Sequence, residues 1–187
     1  MHPWHSRGYL PHLDQSGLVQ HLTVHLADSL PSHVIARMEA QVALLSEVEQ
    51  IGARRKRIHE MLDSGLGACV LRQERCARIV VEALHFGDGT RYRLLAWVVM
   101  PNHLHVLIEQ LTGWTLARVV QGWKRHTTRE INRALAGSGQ LWQREYWDRF
   151  IRDERHYRRV VEYIHDNPVK AGLVAKPQEW PWSSASG

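Results

Sequence analysis

His103-Leu104-His105 sets two imidazoles two residues apart inside an alternating apolar run, His103 to Glu109. Side chains two apart on a strand emerge from the same face. Both rings would therefore point one way, while Leu104, Val106 and Ile108 point toward a core. Two neutral imidazoles fixed side by side can share one divalent cation. The plainer alternative is a pair of surface histidines, since the chain holds 13 of them. A second constellation lies near the C-terminus. Tyr157, Val160, Val161 and Ile164 follow the spacing of a helix's buried stripe. Tyr163 sits off the centre of that stripe, with Asn167 one turn further along the same flank. Asn167 precedes Pro168, so the helix should end there and turn the amide outward. A tyrosine is a weak nucleophile at neutral pH, and a metal-capable amide one turn away is a specific arrangement. A surface tyrosine followed by an ordinary asparagine cap is the other reading.

Other chemistries find less support. Neither Cys69 nor Cys76 sits in a base-like constellation, and their spacing is not that of a zinc knuckle. A zinc-protease helix signature, a phosphate loop and a dinucleotide glycine pattern are all missing from the sequence. Tyr157 reads as core, and Tyr9, Tyr92 and Tyr146 have no ligand-like partners at helical spacing.

These residues need elements to hold them. Leu18 to Leu26 alternates as a half-buried strand, with His21 and His25 on one face, lining a site or facing solvent. Ser32 reads as an N-cap, and a helical stripe runs from Val34 through Arg54-Arg55-Lys56-Arg57 to about Asp63. This 34–62 segment is expected to be a helical elaboration, an arm off the main body. Arg75 to His85 forms a further helix. Arg91 to Met100 is a strand, Pro101-Asn102 a break and His103 to Glu109 the return strand of a hairpin. Thr115 to Leu135 and Phe150 to Asn167 are helices, the second stopped by Pro168. The expectation is one α+β domain over residues 1–187: a small antiparallel sheet with helices on one face and Tyr163 on a C-terminal helix.

The length of 187 residues suffices for one real core, and 44% apolar with 23% charged residues is a globular composition. Charge is unevenly placed. Between Arg118 and Arg159 there are 11 basic and 5 acidic residues, and the rest of the chain is almost balanced. Such a stretch is a plausible phosphate-binding footprint or a pair of solvated amphipathic helices. No apolar run approaches a membrane span, and Met1 to His5 holds no apolar signal core, so a cytoplasmic location with reduced thiols is expected.

Four strings carry a family resemblance: WVVMPNHLHVLIE (97–109), LWQREYWDRFIRDERHY (141–157), VEYIHDNPVKAGLV (161–174) and WPWSSA (180–185). Together they closely resemble the REP-associated tyrosine transposases, bacterial relatives of the single-tyrosine insertion-sequence transposases within the HUH endonucleases. The likeness extends from about Arg7 to Ser184. It implies a ferredoxin-like sheet, His103 and His105 as metal ligands, Tyr163 as nucleophile and Asn167 as third ligand, with His165 and Asp166 as ligand-capable neighbours. It also implies cleavage and rejoining of single-stranded DNA beside a hairpin, through a 5′-phosphotyrosine. Mg²⁺ or Mn²⁺ suits a site that needs open positions for phosphate oxygens and has no thiolate. On this reading Lys124, Arg125, Arg129, Arg152, Arg155 and Arg159 neutralise backbone phosphates. Trp123 is among the tryptophans that could stack on bases or pack in the core. The protein would act as monomer or homodimer. A DNA-binding regulator that has lost cleavage, a mobile insertion-sequence enzyme and a hydrolase of small phosphoesters are the competing readings.

Overall fold

The computed structural model describes residues 4–6, 11–13 and 15–187, so residues 1–3, 7–10 and 14 of the expected lead-in lie outside the described residues. β1 (Trp4–Ser6) and β2 (Pro11–Leu13) pair antiparallel as a small ribbon. Then come β3 (Val19–His25), α1 (Ser32–Val42), α2 (Glu47–Asp63), α3 (Glu74–Phe86), β4 (Tyr92–Val99) and β5 (His103–Gln110). The chain continues with α4 (Leu116–Ala134), β6 (Trp147–Phe150) and α5 (Glu154–Lys170). The main sheet is antiparallel throughout, with strand order β4-β5-β3-β6. Helices connect β3 to β4 and β5 to β6, which makes the βαββαβ plan of a ferredoxin-like fold.

Both faces of this sheet are covered, not one. On the first, Leu22, Val24, Leu104, Val106 and Ile108 pack against Val80 and Leu84 of α3 and Val119, Val120 and Ile131 of α4. On the second, Ala96, Val98, Met100 and Leu107 pack against Val160 and Ile164 of α5. The physical reason is legible in the strands. Their second face also carries an apolar patch, Ala96, Val98, Met100 and Leu107, beside its histidines, and leaving that patch in water would forfeit about 25 cal/mol for each Å² exposed.

The 34–62 segment is two helices, divided where Ser46 and Glu49 form a capping box that starts α2. It is not a free arm. Met38 and Val42 of α1 and Ile58 and Leu62 of α2 bury against Leu30, with Trp147 of β6 packed on them. Residues 147–150 form an edge strand on β3 instead of the start of a helix. α5 begins at Glu154, where the Asp153 carboxylate accepts from the His156 N–H at 2.7 Å. It also runs past Pro168 to Lys170. Proline removes one ladder hydrogen bond, but Pro168 is buried, and the chain turns away beyond Lys170 at Gly172, with its positive φ of 67°. The C-terminal segment closes the β4 edge: the Val99 N–H donates to Trp182 O at 2.8 Å and the Ser184 N–H to Trp97 O at 2.9 Å. Cys69 and Cys76 are free thiols, and no helix among the described residues is long and apolar enough to cross a membrane.

Candidate active site

β5 sits second in the sheet, and its pairing with β3 sets Thr23 opposite His105 and His25 opposite His103. Alternation then turns the rings of His21, His25, His103 and His105 to the face covered by α5 and α2. His103 is fully buried. Its Nδ1 lies 2.8 Å from Asn102 Oδ1, whose amide nitrogen donates in turn to Leu66 O at 2.9 Å. With Nδ1–H donated to Asn102, the His103 Nε2 lone pair is left facing the site. His105 is oriented the same way: its Nδ1 is 3.0 Å from Thr23 Oγ1 and 3.3 Å from His21 Nε2. Burial holds His103 neutral, its pKa pushed down to about 3 with further lowering from His59 and His25. A neutral imidazole is the ligand form.

The third member of the cluster comes from the last turn of α2. Asp63 Oδ1 lies 3.6 Å from His103 Nε2. Because His103 is neutral, this is not an ion pair at pH 7. Ligand atoms of Asp63, His103 and His105 all fall within 4.8 Å of one another. Burial raises the Asp63 pKa to about 6, against the lowering effect of Lys170. Asp63 Oδ1 and His103 Nε2 are both buried without a hydrogen-bond partner among the described residues. Two such atoms side by side each cost free energy unless something bridges them. Their donor chemistry, carboxylate oxygen with two imidazoles, suits a divalent cation.

Tyr163 reaches this cluster from α5. Its hydroxyl is 2.7 Å from His59 Nδ1 and 3.4 Å from His105 Nε2. Lys170 holds its ammonium 5.3 Å from the Tyr163 ring centroid and 3.9 Å from Asp166 Oδ2. Asn167 does not sit at the helix end with its amide outward. It lies inside α5 and fully buried, and neither amide atom has a hydrogen-bond partner among the described residues. His165 points elsewhere, with Nε2 2.9 Å from Ser184 Oγ. Sequence reasoning missed Asn102, Thr23, His59, Asp63 and Lys170. The spacing of His59 and Asp63, four residues apart on a helix, is the same signal that singled out Tyr163 and Asn167.

The expected DNA-contacting residues separate into two groups on opposite sheet faces. Arg152, Arg155 and Arg159 are exposed on and just before α5. Arg149 joins them, its guanidinium lowered in pKa by burial and by Arg152 and Arg159. Arg155, Arg159, Tyr163 and Asn167 are spaced by four, one row along the helix. Arg125 and Arg129 are on α4, across the sheet, where they line a groove of about 710 Å³ with Gln121, Thr128 and Gln140. Two of the expected residues are engaged inside the protein. Lys124 Nζ donates to the carbonyls of Gln143, Arg144 and Glu145 at 2.8, 3.0 and 3.3 Å, and burial lowers its pKa to about 8. Trp123, a candidate for base stacking or for the core, is a core side chain only 8% exposed. Its Nε1–H donates to the Tyr92 hydroxyl at 2.9 Å, because the apolar stripe of α4 is wide enough to take the indole inward. Trp147 stacks on His25 with ring centroids 4.8 Å apart.

Fold and site together define a ferredoxin-like domain that brings a tyrosine to a buried histidine pair. The family model described as "Transposase IS200 like" matches residues 72–167, which include His103, His105, Tyr163 and Asn167 but neither His59 nor Asp63. The chain belongs to that family. It is 34% identical over 96 residues to the REP-associated tyrosine transposase of Escherichia coli (strain K12), covering 50% of this chain and 54% of that one. It is 29% identical over 103 residues to a putative REP-associated tyrosine transposase of Haemophilus influenzae, covering 50% and 58%. The chain thus spans about half the length of the curated relatives it matches. A solved structure of a REP-associated tyrosine transposase bound to a REP hairpin superposes with TM-score 0.59 at 20% identity, covering 95% of this chain and 82% of the other, and shares the fold.

Proposed function

We propose that this protein is a metal-dependent endonuclease and strand-transferase that acts on single-stranded DNA beside a hairpin in repeated sequences. The observation that carries the reading is the approach of the Tyr163 hydroxyl to within 3.4 Å of His105 Nε2, in a cluster where Asp63 Oδ1 and His103 Nε2 are buried without a hydrogen-bond partner among the described residues. His103 and His105 would hold the cation with Asp63 and Asn167 as oxygen donors, and Mg²⁺ or Mn²⁺ fits that set. When bound, the cation would polarise the scissile phosphate and stabilise its developing charge.

The remaining work falls to this chain's own groups. Asn102 and Thr23 fix the two imidazoles in the tautomer whose Nε2 faces the cluster. α5 presents the Tyr163 oxygen to phosphorus from a buried, rigid helix, a positioning effect. Attack forms the Tyr163 O–P bond and breaks the P–O3′ bond; the phenol releases its proton to solvent, and the 3′ oxygen takes up a proton from solvent and leaves as a hydroxyl. The 5′-phosphotyrosine remains a phosphodiester, so a new 3′-hydroxyl can displace Tyr163 without ATP. Arg152, Arg155 and Arg159 lead to Tyr163 along α5 and would bind the phosphates of the strand being cut. Arg125 and Arg129, across the sheet, would bind a separate stretch of DNA. Single-stranded or hairpin DNA is thus the partner, and the protein would meet it as monomer or homodimer.

The test is incubation of labelled hairpin DNA with protein and Mn²⁺, followed by a denaturing gel. Wild type should give a covalent adduct, and Tyr163→Phe should give none while hairpin binding persists. An adduct of normal yield from Tyr163→Phe would sink the assignment. Hairpin binding by wild type with no cleavage under any divalent cation would favour the regulator.

A further inference from the structure

Nothing in the family's matched region accounts for α2, which lies before residue 72. Yet α2 makes a short hydrogen bond to the nucleophile: His59 Nδ1 to Tyr163 OH, 2.7 Å. The His59 ring also lies parallel to the His105 ring, with an interplanar angle of 3° and centroids 5.5 Å apart. It makes an edge contact with the Tyr163 ring at 5.9 Å. His59 is therefore held between the nucleophile and one proposed ligand. One turn later on the same helix face, Asp63 reaches His103. The helix itself is anchored from behind by Ile58 and Leu62, both buried in the cluster with Met38 and Val42.

We propose that His59 is the positioning residue for Tyr163, so that the α1–α2 hairpin is part of the catalytic apparatus and not an appendage. This rests on the proposed function above. His59 Nδ1 and His105 Nε2 both lie at hydrogen-bond range of the phenol oxygen, at 2.7 and 3.4 Å. Once His105 Nε2 is committed to a cation it has no hydrogen to give the phenol and no lone pair to take one. His59 Nδ1, at 2.7 Å, is still able to hold the O–H. Accepting that hydrogen fixes the phenol's torsion and turns the oxygen lone pairs away from α2, toward the cluster. Without it the hydroxyl loses its 2.7 Å partner and the ring loses one of its walls. The anchoring of α2 by Ile58 and Leu62 makes this a rigid constraint, of the kind in which small displacements cost on the order of 100-fold in rate.

The test compares His59→Ala, His59→Asn and His59→Gln, with Tyr163→Phe as control. Asparagine places an oxygen where the histidine Nδ1 stands, whereas the glutamine amide maps onto Nε2. The rate of adduct formation at saturating hairpin DNA and Mn²⁺ should fall about 10- to 100-fold in His59→Ala and His59→Gln. It should recover substantially in His59→Asn, and DNA affinity should stay unchanged in all three. A second readout needs neither metal nor turnover. In protein labelled with ¹³C at the tyrosine Cζ, the resonance absent from Tyr163→Phe should shift in His59→Ala and return toward wild type in His59→Asn. Wild-type adduct rates in His59→Ala, an unmoved Cζ resonance, or equal loss in the alanine and asparagine variants would each overturn the proposal. An adduct formed by Tyr163→Phe would instead overturn the function on which it rests.

Discussion

Asp63 offers a test in which the proton competes with the cation. Burial lifts its pKa to about 6, whereas His103 is held neutral down to about 3. Between pH 7.5 and 5, then, Asp63 changes charge and His103 does not. At pH 5 a carboxyl with a pKa near 6 is ionised in only about one molecule in eleven, so its contribution to metal affinity should fall about tenfold. Above pH 7 that competition should be negligible. Asp63→Asn keeps the shape, removes the charge and removes the titration. Mn²⁺ binding to the DNA-free protein, followed by calorimetry or by the loss of the free-ion electron paramagnetic resonance signal, measures both effects. At pH 7.5 the variant should bind at least about tenfold more weakly, the scale at which even supporting partners of metal sites act. From pH 7.5 to 5 wild type should lose about tenfold more affinity than the variant. Lys170 lowers the Asp63 pKa, so Lys170→Met should move the wild-type midpoint upward. Equal pH slopes in wild type and Asp63→Asn would refute the reasoning, because the carboxylate would then be no part of the cation's environment.

Further outcomes are expected. Trp123→Ala should destabilise by roughly 3–5 kcal/mol by emptying part of the α3–α4 core, with DNA affinity of the folded fraction unchanged; weakened binding at an unchanged melting temperature would return Trp123 to the DNA interface. Arg152→Ala and Arg159→Ala should each weaken hairpin binding uniformly and reduce the slope of log affinity against log salt by about one, and an unaltered slope in both would remove α5 from the strand path. His25 has its pKa depressed to about 4 by burial, so its neutral form is favoured by folding. That stability is complete above pH 6.5 and is lost as pH falls toward 4, by about 2 kcal/mol between pH 7 and 5. Asp63 shifts stability in the opposite direction over part of this window, so the measurement is urea unfolding of wild type against His25→Phe; an identical acid loss in both would exclude His25 as its source.

Much of the site was legible because it is local. The HLH alternation on β5 and the four-residue step from Tyr163 to Asn167 each follow from the geometry of one element, and the family strings join them. The hairpin was legible from Pro101-Asn102 between two apolar runs. The continuation of α5 through Pro168 was not. Proline's local preference ends helices, and only the burial of Pro168 and the turn at Gly172 override it. Trp123 reads equally well from sequence as a base-stacking or a core residue. Its direction was settled by Tyr92, 31 residues earlier, which offers its hydroxyl to the indole.

The sequence by itself determined the two histidines and the tyrosine, their faces on strand and helix, and the family to which they belong. Only the tertiary structure decided what surrounds them. Residues 34–62 read as an appendage because their spacing shows a helical stripe and nothing of where it docks. Burial of Ile58 and Leu62 against Met38 and Val42, with Trp147 packed alongside, turns the opposite face of α2 inward. That packing carries His59 across 104 residues of sequence to Tyr163 and brings Asp63 to His103. Likewise, two successive basic helices lie on opposite sides of one sheet, because each face carries an apolar patch that needs its own cover.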